Sequence, residues 1–195
     1  MSHHSPSTPA PGKETTTPGT ILGSKYIYNV TEEAAKEVAS NLRDEDYREI
    51  YEGHGIKPEV IIPIYAQNGF CVHFKSPSGK TAGLAGIQEG GLIWMVTTPV
   101  IYEHPMMFAR ECKRFINSRE EPLLWNIIDK RNTVHLKLLR FLGFKFLREI
   151  IHGPNQLPFI EFCHVCTSNG SVANNNTSSV GDSRLYGRKR ESQTP

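Results

Sequence analysis

The sequence predicts one α/β (α+β) domain, a central and mostly antiparallel mixed sheet flanked by helices, set between two polar tails. Three observations carry this. Apolar residues gather in the middle of the 195-residue chain, so the overall hydrophobic content of 38% understates what that stretch holds for a core. Period-two segments broken by glycine turns fill residues 70–96, the signature of an antiparallel meander. After them, helical and strand periods alternate to residue 165.

Residues 1–24 are Pro, Ser, Thr and His with almost nothing apolar, and 167–195 are again polar, with a basic end at Gly187, Arg188, Lys189 and Arg190. Neither composition offsets the entropy of ordering, so both are expected to be disordered and the domain to span 25–166. Thr31 before Glu32, Glu33, Ala34 and Val38 reads as a capped helix, and Asp44, Glu45 and Asp46 open a second whose Tyr47, Ile50 and Tyr51 recur at helical spacing before Gly53 and Gly55. Residues 56–68 stay ambiguous, because Pro58 suits a helix start and Pro63 would break a long helix. Strands follow at 70–74, 81–88 and 92–96, with Gly83 and Gly86 marking a bulge or a close backbone approach. A helix over 104–118 shows Met107, Phe108, Cys112, Phe115 and Ile116 on one face. A buried strand at 123–128, a helix at 133–142 ending on Gly143, and strands at 144–151 and 159–165 complete the order.

A net charge of +2 gives no field that selects nucleic acid or membrane, and no run approaches the roughly 20 apolar residues of a spanning helix. Four scattered cysteines without an apolar leader suit a reduced compartment. His3 and His4 are too few ligands to hold a metal, and Cys163 and Cys166 end a strand rather than opening a helix, so neither pair marks a metal or redox site. Ser78, Gly79, Lys80 and Thr81 imitate a phosphate loop but sit in a hairpin turn with Phe74 where its first glycine belongs.

The block Leu124, Trp125, Asn126, Ile127, Ile128, then Asn132, Leu136, Leu139, Leu142, Gly143 and Phe144 resembles the strand, helix and Leu-Gly-Phe signature of the acyl-CoA N-acyltransferase (GNAT) superfamily. Across residues 42–165, an Arg-Asp-Glu-Asp start, Gly55 to Pro58, and the exit Trp94 to Thr98 make the chain look like the GNAT-like internal virion or assembly proteins of short-tailed phages. That resemblance implies other virion or assembly proteins as partners, in the host cytoplasm and then the virion interior, in particle assembly or DNA ejection. The basic C-terminal tail could add a contact with nucleic acid.

The wider superfamily implies acetyl-CoA between the central strands, with Val96, Thr97, Thr98 and Asn132 as the cofactor-binding positions, and an acetyl-CoA-dependent N-acetyltransferase is the alternative reading. Its diphosphate is held by free amides of a glycine loop opening a helix. The matching stretch, 97–105, contains no glycine, two prolines and Glu103. The position that many of these enzymes give to a tyrosine proton donor is Leu139, which cannot protonate a thiolate. Tyr102, His104 and His135 are the remaining catalytic candidates, and strong acetyltransferase turnover is not expected.

Overall fold

The computed structural model describes residues 21–166. The tails expected at 1–24 and 167–195 lie outside the described residues, apart from Ile21–Ser24. There the Ile21 N–H donates to the Ile27 carbonyl at 2.9 Å, and Ile21 and Leu22 lie against the main core. Packed residues are therefore found as far as four positions ahead of the edge read from composition.

The elements follow in the order β1 (Ile27–Asn29), α1 (Glu32–Ser40), α2 (Asp44–Arg48, continued by a π turn at Glu49–Gly53), α3 (Pro58–Gln67), β2 (Phe70–Lys75), β3 (Thr81–Gln88) and β4 (Leu92–Thr97). A short 3-10 turn at Pro99–Tyr102 then leads into α4 (Pro105–Asn117), β5 (Leu123–Asp129), α5 (Thr133–Leu142), β6 (Lys145–His152) and β7 (Leu157–Val165). The expected caps form: the Thr31 hydroxyl accepts the Ala34 N–H at 3.1 Å, and the Asn132 side chain accepts the His135 N–H at 3.4 Å. Residues 56–68 resolve as helix α3, with Pro58 in its first turn and Pro63 inside it. β1 is three residues long, too short to show a period in the sequence.

The seven strands form one sheet in the order β1-β2-β3-β4-β5-β7-β6, antiparallel throughout except where β4 meets β5. Alternation along the strands sends Cys71, Leu84 and Val96 toward α1 and α3, where they pack with Val38, Ile62 and Ala66. Val72, Ala85 and Ile93 point the other way, to the larger core with Phe108, Phe115, Leu136 and Phe144 from the α4 and α5 side. At Gly83 the register with β2 slips by one residue, and a Cβ there would meet the Val96 carbonyl oxygen of β4; at Gly86 the Trp94 ring lies where a side chain would stand.

The β6–β7 turn is locked onto the π turn. Gly153 has a φ of +72°, and a Cβ on it would overlap the Gly53 carbonyl oxygen. Gly79 in the β2–β3 turn has a similar φ of +84° with open space around it. Gly153→Ala is therefore expected to cost at least about 2 kcal/mol and Gly79→Ala about 1 kcal/mol, read as lowered urea midpoints at unchanged slope. Equal losses would show that the contact between the two turns carries nothing.

Candidate functional site

β4 and β5 run parallel but pair only at Leu92 and Trp125, and beyond that point they splay. Which groups face the gap follows from the register. The Thr98 N–H donates to the Ala82 carbonyl at 3.0 Å, so Val96 and Trp94 are the residues bonded to β3, while Ile93, Met95 and Thr97 turn their N–H and C=O groups to the splay. On β5, the Lys130 N–H donates to the Pro158 carbonyl at 3.0 Å, which by the same alternation leaves Trp125, Ile127 and Asp129 facing the gap.

Side chains close both ends of this gap. Near the junction, Asn126 donates from Nδ2 to the Ile93 carbonyl at 2.7 Å and accepts the Ile127 N–H on Oδ1 at 2.7 Å. At the far end the start of α2 stands against β4: the Arg43 N–H donates to the Thr97 carbonyl at 3.0 Å, and the Thr97 N–H donates to Asp46 Oδ2 at 3.0 Å. Arg43, Asp46 and Glu49 recur every three residues, which puts them on one inward face of α2 and its π turn. Of the Tyr47, Ile50 and Tyr51 that recur at helical spacing in the sequence, Ile50 packs against the α1 and α3 core while the two tyrosines lie outside. They are 40% and 48% exposed and stack on each other at 5.5 Å.

Arg43 is the hub of the closed end. Its Nε donates to Asp46 Oδ2 at 3.1 Å and to the Thr97 hydroxyl at 2.7 Å, and its Nη2 to Asp46 Oδ1 at 2.9 Å and Asn132 Oδ1 at 3.3 Å. Nη1 reaches the Tyr102 hydroxyl at 3.2 Å. The Thr97 hydroxyl donates to Asp46 at 2.6 Å, so the His135 Nε2 that lies 3.2 Å from it is assigned the ring proton. Asn132 Nδ2 spends its two protons on Asp46 Oδ1 at 3.0 Å and Glu49 Oε2 at 2.9 Å.

Burial opposes charge throughout the cluster, with different results. Burial works against the Asp46 carboxylate, but the adjoining His135 ring, the Arg43 guanidinium and the Thr97 bonds more than offset it, holding its pKa below the usual range. Burial brings His135 down to about 4, with Arg43 opposing its proton further, so the ring is neutral. Burial pushes Glu49 up to about 8, with Asp46 and Asp129 adding to the shift against the Asn132 bond. The Glu49 stem touches the surface while its carboxyl is enclosed, and it holds a proton at neutral pH.

Between the two closures lies a cavity of about 210 Å³. Its walls are apolar, among them Ile93, Met95, Cys112, Phe115 and Leu139, with Glu49, His54, Asn126 and His135 as the polar edge.

No protein-family profile matches the sequence, and neither does any curated protein. The fold does match solved structures. A GCN5-related N-acetyltransferase from Brucella melitensis superposes with a TM-score of 0.52 at 13% identity, covering 73% of this chain and 76% of that one. The GNAT-family acetyltransferase from Bacillus anthracis gives 0.52 at 12%, covering 69% and 88%. The yncA structure from Salmonella typhimurium with its cofactor acetyl-CoA gives 0.55 at 9%, covering 74% and 95%. The domain has the GNAT fold.

Acetyl-CoA would need two things of this splay. The strand edge at Met95 faces the gap with no β5 residue paired opposite it. At the phosphate end several amides are already spent. The Val100 N–H goes to the Thr98 hydroxyl at 3.3 Å, the Ile101 N–H to the Thr98 carbonyl at 3.3 Å, and the Glu103 N–H to the Val100 carbonyl at 3.0 Å, while Pro99 and Pro105 have none to give. Glu103 is turned to Lys80 at 2.7 Å. These loop amides are not free for a phosphate.

Of the residues singled out from sequence, Thr97, Asn132, His135 and Tyr102 converge on Arg43. Val96 lines the cavity, Thr98 turns away to bond the Thr81 carbonyl at 2.9 Å, and His104 stands exposed before α4 with no side-chain cap bond. Leu139 lies on the cavity wall. The sequence reading missed Arg43, Asp46 and Glu49 as a set; their spacing of three was the available signal.

Two outcomes follow. Asp46→Ala leaves the Arg43 charge buried and uncompensated and is expected to cost about 3–5 kcal/mol, whereas Arg43→Met combined with Asp46→Leu should cost clearly less; a double-mutant cycle on urea unfolding measures both. For pH, the raised Glu49 pKa means stability present below about 4.5 and lost as pH rises to about 8. The lowered His135 pKa means stability present above 6.5 and lost as pH falls to about 4. The two slopes oppose each other between 4.5 and 6.5, so stability should fall from pH 6.5 to 8 by up to about tenfold in the folding constant per unit. Glu49→Gln should flatten that limb, and an unchanged limb in the variant would assign it to another group.

Proposed function

We propose that the protein is a GNAT-fold scaffold without acyl transfer, acting by contact with other virion or assembly proteins in building a phage particle or ejecting its DNA. The observation that carries the non-catalytic part is the Arg43–Asp46–Thr97–Asn132–His135 cluster, which fills the wide end of the splay with bonded side chains. The phage setting, in the host cytoplasm and then the virion interior, rests on the resemblance across residues 42–165. A supporting feature is α3, where Val60 and Ile64 stand exposed one turn apart, with Ile56 exposed just before the helix. Asparagine, leucine and glycine at the signature block are needed by the fold itself, so their presence does not argue for chemistry.

Calorimetric titration with CoA and acetyl-CoA tests the reading. No heat and no thermal shift up to millimolar ligand are expected. Binding near 1 μM, about −8 kcal/mol, would overturn the scaffold and restore the acetyl-CoA-dependent N-acetyltransferase.

A further inference from the structure

We propose that the outer face of α4 and α5 binds duplex nucleic acid through its phosphate backbone, without reading its bases. The chain as a whole has only two more basic than acidic residues, which hides how its charge is sorted. α4 and α5 carry Arg110, Lys113, Arg114, Lys137 and Arg140 against a single acidic residue, Glu111. Glu111 is buried and accepts from Arg114 Nε at 3.2 Å, and α5 has no acidic residue at all. The balancing charge lies elsewhere. α1, on the other face of the sheet, and α2 with its π turn hold eight acidic residues against Lys36 and Arg48.

Pairing sharpens the contrast. Lys36, Lys80, Lys130 and Arg148 each meet a carboxylate at 2.5 to 2.7 Å. Arg110, Lys113, Lys137 and Arg140 have no ion-pair partner among the described residues. Lys113 donates instead to the Leu142 carbonyl at 2.9 Å, across the seam between the two helices, and the Arg140 guanidinium lies 5.1 Å from the Phe146 ring. Both contacts hold a side chain in place and leave its charge uncompensated. Lys137 and Arg140, one turn apart, repel each other until an anion from outside lies between them.

The spacing names the kind of anion. Arg110 and Arg114 stand one turn apart on the exposed side of α4, as Lys137 and Arg140 do on α5. The two helices pack against each other, and packed helices lie about 8–10 Å apart, so the surface presents two rows of cations. Two rows ask for two lines of phosphate, which a duplex offers on either side of its minor groove and a single strand does not. Three of the five cations are arginines, whose planar forks match phosphate oxygens. A lipid surface would ask instead for an apolar stripe beside the cations. The exposed apolar residues form none: Met106 opens α4, whereas Phe141 ends α5 next to Leu142, which Lys113 bonds from the second half of α4. The acidic elements turn the rest of the molecule away from a polyanion, so it approaches in one orientation. None of the five cations lines the cavity of the splay, so the surface is independent of what the cleft holds.

The full chain is titrated into a fluorescein-labelled duplex of arbitrary sequence, about 20 base pairs long, with anisotropy read from about 50 to 200 mM salt. Binding is expected to weaken with salt along a log–log slope of about −4, close to one per cation that reaches a phosphate. Arg110→Gln combined with Lys137→Gln and Arg140→Gln should cut the slope by about three and the affinity at least about tenfold, at an unchanged melting temperature. Lys137→Gln alone, expected to lower the slope by about one, serves where the triple variant fails to fold. Arg188→Gln with Lys189→Gln and Arg190→Gln removes the same charge from the C-terminal tail and should lose clearly less. Absence of salt-dependent binding, a folded face variant that binds as the parent does, or a tail variant that loses as much would each overturn the surface. So would an unlabelled single strand that competes as well as the duplex, or tighter capture by phosphatidylglycerol vesicles than by the duplex.

Discussion

Two parallel strands that share a single bridge leave a set of backbone donors and acceptors facing one another across a widening gap, and the rest of the molecule is arranged around satisfying them. Water cannot do this in a layer covered by helices on both faces, so the groups must find partners in the chain. Asn126 closes the narrow end from within β5 itself. The wide end needs something brought from outside the sheet, and α2 supplies it by presenting a backbone N–H and a carboxylate to Thr97 as a neighbouring strand would. Fold and site are thus one problem: the element that completes the sheet is also the element that fills its cleft.

That solution carries a cost which explains the density of the cluster. A carboxylate taken into the interior loses several kcal/mol of hydration, and a guanidinium loses as much. The cost is offset only when every lone pair and proton is used, and here nearly all are: Asp46 Oδ1 accepts two bonds and Oδ2 three, and all three guanidinium nitrogens of Arg43 are bonded. Glu49 and His135 settle the remainder by remaining neutral at physiological pH, so the cluster keeps one positive and one negative charge at its centre. Glu49, one helical turn beyond Asp46 where α2 passes into the π turn, meets the same Asn132 amide.

The sheet and its helices were legible because their periods were long and their caps regular: the meander at 70–96, the Asn132 cap and the Gly143 exit follow from local rules. What was not legible has a common physical cause. In the sequence, Asp44, Glu45 and Asp46 mark α2 only as an acidic helix start, with no sign that one of them is buried. A charged row can take the buried face only if its partners lie elsewhere in the chain, and Thr97, Asn132 and His135 are 51 to 89 residues away from the α2 residues they bond. No window on the sequence contains both halves of that agreement. The absent glycine loop, by contrast, was visible as sequence, because it concerns one short segment and what its amides are free to do.

Closing the splay from within the chain removes a weakness at the centre of the sheet. An open splay would leave Ile93, Met95 and Thr97 without partners whenever the cleft was empty, and the sheet would be weakest at its centre. Internal closure at two of those three positions removes most of that dependence and makes β4 and β5 rigid relative to α2 and α5. The walls on either side of Met95 remain far enough apart to leave a cavity, which Ala85 and Cys112, small and buried on that face, do not fill.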